Sequence, residues 1–149
     1  MNFELSKIPN RTTQPRNFGI TMISDRVLNL AETENMLSVA SQHIDMVKLA
    51  FGTAMVTPIL SEKIKIFKSY NIPVFFGGLL FEAFIIRNQF EDYIRVCEQF
   101  GITHMEVSDG SINIPHADKC NYISLLTKYG TVLSEIGRKD ANNIMPPYK

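Results

Sequence analysis

The feature that most constrains this chain is the alternation of two residue patterns along it. Short runs rich in β-branched and aromatic residues stand at Gly19–Ser24, Ile44–Leu49, Pro73–Phe76, Thr103–Ser108 and Thr131–Ile136. Between them lie apolar stripes at helical spacing: Leu60, Ile64, Phe67 and Tyr70; Phe90, Tyr93, Ile94 and Cys97; Tyr122, Leu125, Leu126 and Tyr129. Strand-like runs that alternate with amphipathic helices imply parallel βα units, because parallel neighbours can be joined only by a crossover. The punctuation agrees. Thr57-Pro58 offers a cap and a first-turn proline, Gly101 and Gly130 stand where a left-handed stop ends a helix, and Pro115 suits a helix start.

The strand-like runs begin roughly 25 to 30 residues apart, a period that suits two architectures. An open doubly wound sheet would be complete with five strands, whereas a barrel needs eight. Side-chain alternation separates them. His104, Glu106 and Ser108 share one face of their run; Thr131, Leu133 and Glu135 share another; Thr21, Ile23 and Asp25 lie opposite Ile20 and Met22; Lys48 opposes Val47 and Leu49. One face of each strand is apolar, and the other carries an ionisable group near its C-terminal end. A sheet covered by helices on both sides should be apolar on both faces. A barrel interior that opens at its C-terminal rim into a site should read as this chain does. The expected fold is therefore α/β, a (β/α)8 TIM barrel of which about the first five βα units are present. Residues 1–18 read as a polar N-terminal arm and residues 19–149 as the N-terminal part of one barrel domain. The residues after Ile136 offer little of a covering helix, so the chain is expected to stop mid-fold.

Composition bounds the function. Fifteen Lys and Arg against fifteen Asp and Glu give zero formal net charge, which excludes the basic footprint of a general nucleic-acid binder or of a basic membrane-surface protein. Apolar residues at 45% with charged residues at 20% exclude disorder. Two cysteines, Cys97 and Cys120, cannot build a disulfide framework or a four-cysteine zinc site, and both read as reduced, partly buried core residues. The N-terminus shows no apolar signal region. The longest apolar stretch, Ile72 to Ile86, is interrupted by Gly77, Gly78 and Glu82 and is too short to span a bilayer. A cytoplasmic protein with small-molecule partners is expected, with neither nucleic acid nor membrane among them.

The chemistry-bearing residues gather at strand ends. Asp25, Lys48, Glu106, Asp109, Glu135 and Lys139 all lie at or just beyond a strand C-terminus. Carboxylates clustered with lysines suit a hard divalent cation such as Mg2+ beside an anionic substrate; solvated loop charges or rim salt bridges are the alternative. Gly77-Gly78 after the third strand allows close backbone approach, either to a substrate or within a tight βα turn, and Phe51-Gly52-Thr53 is equally ambiguous. His43, His104 and His116 show no metal-ligand spacing, and His104 reads as a satisfied interior histidine. No Ser/His/Asp or Cys/His hydrolase motif is present.

Four ordered segments resemble a known family. Asp45-Met46-Val47-Lys48-Leu49-Ala50-Phe51-Gly52-Thr53, Phe76-Gly77-Gly78-Leu79-Leu80-Phe81-Glu82, Glu106-Val107-Ser108-Asp109-Gly110 and Glu135-Ile136-Gly137-Arg138-Lys139 look like the motifs of phosphosulfolactate synthase. The resemblance runs from about Arg16 onward and matches the N-terminal part of that family's barrel. It implies a Mg2+-dependent lyase that adds sulfite to phosphoenolpyruvate to give (2R)-phospho-3-sulfolactate, an early step toward coenzyme M. It implies Lys139 as the general acid, Glu106, Glu135 and Asp25 as metal ligands, and Lys48, Gly77, Gly78 and Asp109 as substrate-binding. Leu79 stands where the family usually has Thr, and Arg26-Val27 where it usually has Lys-Gly. Two other readings remain open: a non-catalytic, stress-associated relative of the same family, and another enolate-type TIM-barrel lyase. Barrel phosphate sites are commonly built by the loops after the last strands. The phosphate pocket is therefore expected outside this chain, the chain alone is expected to be inactive, and its open strand edges are expected to invite homo-oligomers.

Overall fold

The computed structural model describes residues 5–50 and 52–139. Phe51 of the second-strand turn, and residues 140–149 of the segment read as lacking a covering helix, lie outside the described residues. Among the described residues five strands alternate with helices: β1 (Met22–Asp25), α1 (Leu30–Ala40), β2 (Met46–Leu49), α2 (Thr53–Val56), α3 (Leu60–Ser69), β3 (Val74–Phe76), α4 (Gly78–Ile85), α5 (Phe90–Gln99), β4 (His104–Val107), α6 (His116–Leu126) and β5 (Thr131–Ser134). β1 pairs with β2, β2 with β3, and β4 with β5, all parallel. β3 lies against β4 without a hydrogen-bonded ladder between them. Strands adjacent in sequence are thus adjacent in space, without the reversal of order that marks a doubly wound sheet. The arrangement is a mixed α/β one consistent with part of a barrel.

The register fixes which residues share a face. Ser24, Lys48 and Phe75 are aligned across β1 to β3, and Glu106 is aligned with Leu133 across β4 and β5. Their neighbours Asp25, Leu49 and Phe76 are aligned on the opposite face. There Val47, Leu49, Val74, Phe76, Met105 and Val107 join Leu37, Ile64, Phe67, Tyr93 and Cys97 in one buried core between strands and helices. Burying a side chain of this kind is worth about 1.5–3 kcal/mol each. Phe81 of α4 meets Tyr93 and Tyr122 edge-on, with ring centres 5.5 and 5.6 Å apart. α4 is packed against both α5 and β4, which explains why its sequence is apolar without a helical stripe.

Several local expectations are corrected. Thr57-Pro58 does not start α3, which begins at Leu60; the Thr57 hydroxyl instead donates to the Thr53 carbonyl and ends α2. Gly101 does stop α5 with φ +59°, but Gly130 is not left-handed. Glycine is needed there because a Cβ would collide with the Thr103 carbonyl. Tyr70 and Tyr129 end their stripes exposed. Cys97 is buried, and desolvation pushes its thiol up to about 12. Cys120 is exposed, with its sulfur 3.6 Å from His116 Nε2, and is no core residue. α1 carries a capping box: Asn29 Oδ1 accepts the Glu32 N–H at 3.0 Å and Glu32 Oε2 accepts the Asn29 N–H at 2.8 Å.

The described part of the arm is tied to the N-terminal ends of the strands. The Arg16 guanidinium donates to Asp45 Oδ1 at 2.7 Å, and Asp45 Oδ2 accepts the Thr21 N–H at 2.8 Å. Burial works to raise Asp45, but the Thr21 amide and Arg16 outweigh it and hold the carboxyl below its usual range. His104, at the same end, is half-buried, and desolvation lowers its pKa. Among the described residues no helix is long and apolar enough to cross a membrane.

Candidate active site

At the C-terminal end of the strands five ionisable side chains form a row of alternating charge. Glu106, inward on β4, accepts from Lys48 of β2 at 2.9 and 2.7 Å. Lys48 Nζ lies 3.8 Å from Glu135 Oε2, just past β5. Glu135 Oε2 lies 3.3 Å from Lys139 Nζ, which in turn lies 3.9 Å from Glu82 Oε1 on α4. The row therefore reads carboxylate, ammonium, carboxylate, ammonium, carboxylate. Each end is closed by neutral donors. The Gly78 N–H, at the first residue of α4, donates to Glu106 Oε2. Ser108 Oγ donates to Glu82 Oε1, and the Ser111 N–H donates to Glu82 Oε2 at 3.1 Å. Donors aimed at a buried carboxylate, helix termini included, replace the hydrogen bonds it loses on leaving water.

The row borders a cavity of about 420 Å³ lined by Ser24, Arg26, Lys48, Gly77, Gly78, Leu79, Glu135 and Lys139, among others. Of the residues lining the cavity, Gly78 is one with no room for a side chain. A Cβ on it would collide with Ser108 Cβ and would sit 3.1 Å from Glu106 Oε2 and 3.2 Å from Glu135 Oε2. Both carboxylates thus converge on one bare stretch of backbone. Gly110 plays a related part: its carbonyl accepts the Lys139 N–H at 2.9 Å.

Six of the eight residues singled out from sequence come together here: Lys48, Gly77, Gly78, Glu106, Glu135 and Lys139. Two do not. Asp25 lies on the opposite face of β1, where its carboxylate is 2.6 Å from Lys63 of α3, both side chains 4% exposed or less. Asp109 is likewise turned toward α6, 2.6 Å from Lys119. The reason is strand parity: Asp25 follows the inward Ser24, and Asp109 follows Val107 by two. Each is an acid locking a strand tip to a helix, and the expectation that Asp25 and Asp109 face the cavity is corrected. Sequence reasoning assigned no role to Glu82. A lone carboxylate inside an otherwise apolar run is a signal that could have found it, since such a group is buried only with partners.

Among the described residues no three His, Cys, Asp or Glu side chains gather closely enough to hold a metal ion by themselves. Glu106 and Glu135 are the two carboxylates that approach the Gly78 backbone together, and Glu106 is already bound to Lys48 and the Gly78 amide.

Comparison with known proteins gives this arrangement its context. The family model for (2R)-phospho-3-sulfolactate synthase (ComA) matches residues 9–149. A phosphosulfolactate synthase of Bacillus subtilis is 36% identical over 141 residues, covering 95% of this chain and 56% of the relative. Those of Methanothermobacter thermautotrophicus and Methanocaldococcus jannaschii are 30% and 35% identical, covering 89% and 81% of this chain and 52% and 49% of the relatives. The chain spans about half the length of the curated relatives it matches. With the match running through all four strand-end motifs that build the charged row, the chain belongs to the (2R)-phospho-3-sulfolactate synthase family.

Proposed function

We propose that the strands form an arc of a (β/α)8 barrel whose C-terminal rim adds sulfite to phosphoenolpyruvate, giving (2R)-phospho-3-sulfolactate. The observation that carries this reading is the alternating row of Glu106, Lys48, Glu135, Lys139 and Glu82 beside an open cavity. In the reaction the sulfite sulfur forms a bond to C3, the C2–C3 π pair moves onto C2 and the carboxylate, and C2 then takes a proton. The phosphate ester is untouched. Negative charge therefore builds at C2 and the carboxylate before the proton arrives.

Lys48 and Arg26 line the cavity and supply positive charge for anionic substrates. Lys139, about a third exposed and held between Glu135 and Glu82, is the side chain that delivers the proton to C2. Delivery from one side only would set the configuration. Mg2+ held through Glu106 and Glu135 would supply Lewis-acid stabilisation of the charge on the substrate carboxylate. Gly77 and Gly78 let the backbone border the cavity directly.

The test is an assay, with phosphoenolpyruvate, sulfite and Mg2+, of a full-length family protein that carries this sequence, following the product phosphate ester by phosphorus NMR. Turnover that needs all three, and that falls by about a hundredfold or more in Lys139→Met, is the expected result. Turnover insensitive to Lys139→Met would refute the assigned role, and no sulfite adduct under any condition would refute the reaction.

A further inference from the structure

Lys119 stands outside the cavity, in the helix layer, and the proposed chemistry gives it no part. Its side chain is 4% exposed. Its ammonium nevertheless reaches two strand ends at once, donating to Asp109 Oδ1 at 2.6 Å and to the Glu135 backbone carbonyl at 2.6 Å. Asp109 lies two residues beyond β4, and Glu135 is the residue after β5. The ladder between these strands ends with the Glu135 N–H donating to the Val107 carbonyl at 2.9 Å, so the lysine closes the pair from the far side of the same residue. The neighbouring Gly110 carbonyl accepts the Lys139 N–H. Glu135 and Lys139 therefore hang from one stretch of backbone that Lys119 grips from outside. The Arg138 guanidinium ties the same stretch to the Ile112 carbonyl and Asn113 Oδ1 at 3.0 Å each. Both of those bonds lie at its exposed or half-buried end, whereas Lys119 holds Glu135 itself from a buried position.

We propose that Lys119, paired with Asp109, is a positioning residue for Glu135 and Lys139. It fixes the backbone from which two cavity side chains project and never touches substrate. This rests on the reading of the cavity as an active site. A buried ammonium that donates to a carbonyl makes a charge-assisted bond with no water to replace it, so the peptide it holds is strongly restrained.

The fold contains its own control. Lys63 and Asp25 form the same kind of buried pair at 2.6 Å. The Asp25 side chain accepts the Leu28 N–H and its carbonyl accepts the Ala50 N–H, so that pair reaches neither Glu135 nor Lys139. Removing either lysine takes the ammonium away from a buried carboxylate and lowers stability. Only removal of Lys119 should loosen residues 135–139.

The experiment compares Lys119→Met with Lys63→Met in the same full-length protein, otherwise unchanged, under conditions where each is folded. Amide hydrogen exchange and steady-state kinetics are both read. Lys119→Met should speed exchange across residues 135–139 and lower kcat about 10- to 100-fold, the usual effect of losing an outer partner of a site ligand. KM for phosphoenolpyruvate should change little. Lys63→Met should leave both readouts at the parent value per folded molecule. Equal behaviour of the two variants overturns the proposal. If Lys119→Met does not fold, Asp109→Asn takes its place, and unchanged exchange at 135–139 in that variant also overturns it. If exchange responds as expected but the parent protein never joins sulfite to phosphoenolpyruvate, the functional reading fails while the positioning role stands.

Discussion

Replacing Gly78 with alanine tests how closely α4 enters the cavity. Gly78 is the first residue of α4 and is not left-handed, so only space argues against a side chain there. Helix propensity alone would favour alanine by about 1 kcal/mol. Against it, the new Cβ would lie 3.1 and 3.2 Å from Glu106 Oε2 and Glu135 Oε2 and well inside contact with Ser108 Cβ. The carboxylate oxygens have some room to withdraw. Ser108 has none, because it is wholly buried and its hydroxyl is committed to Glu82. Overpacking costs about 1–3 kcal/mol, and a clash with an immobile neighbour falls in the upper part of that range, about 2–3 kcal/mol, which after the propensity gain leaves a net loss of about 1–2 kcal/mol. For a domain of this size each kcal/mol moves Tm by about 2–4 °C, so scanning calorimetry of Gly78→Ala should show a fall of about 2–8 °C. A Tm equal to or above that of the parent would mean that β4 does not press against the start of α4, and the convergence of the two carboxylates would fall with it.

Lys63→Met should destabilise by about 3–5 kcal/mol in denaturant titration, because it leaves Asp25 buried and unpaired; adding Asp25→Asn should recover most of the loss. Desolvation lowers the pKa of His104 when folded, so the unfolded chain binds more protons than the folded one below the usual value of 6.5. Stability is therefore fully present above that pH and is lost as pH falls toward the lower folded value; His104→Gln should flatten this part of the pH–stability curve. Asp45 acts in a separate window, contributing stability above its usual 3.8 that is lost as pH falls through its lowered folded value. A bulky disulfide reagent at pH 8 should modify Cys120 in the folded protein and reach Cys97, whose thiol is held up near 12, only after denaturant is added.

Strand runs and the row of rim charges were legible because both depend on short-range pattern. Lys48, Glu106, Glu135 and Lys139 sit where a parallel strand delivers its last residues, and no long-range information was needed to place them there. Two kinds of feature were not legible. The first is the face of a strand tip: Asp25 alternates correctly with its neighbours, but a buried acid facing helices and one facing a cavity look alike until Lys63 is seen opposite it. The second is a helix with no stripe. α4 is apolar on nearly every side because it is packed against both α5 and β4, so periodicity had nothing to detect, and the purpose of Glu82 was hidden with it. α1 is different. Its apolar pattern is weak, but the Asn29 and Glu32 spacing of a capping box was present in the chain and would have marked its start.

The parity of the strand tips has a consequence for how such a protein can change over generations. Ser24 and Asp25 are adjacent, yet one borders the cavity and the other bolts β1 to α3. Ser108 and Asp109 divide the same way, one bound to Glu82 and the other to Lys119. Reactivity and cohesion therefore occupy alternate letters of the same short words. A lineage can rewrite the inward letters to suit a new reactant while the outward ones go on holding the scaffold together.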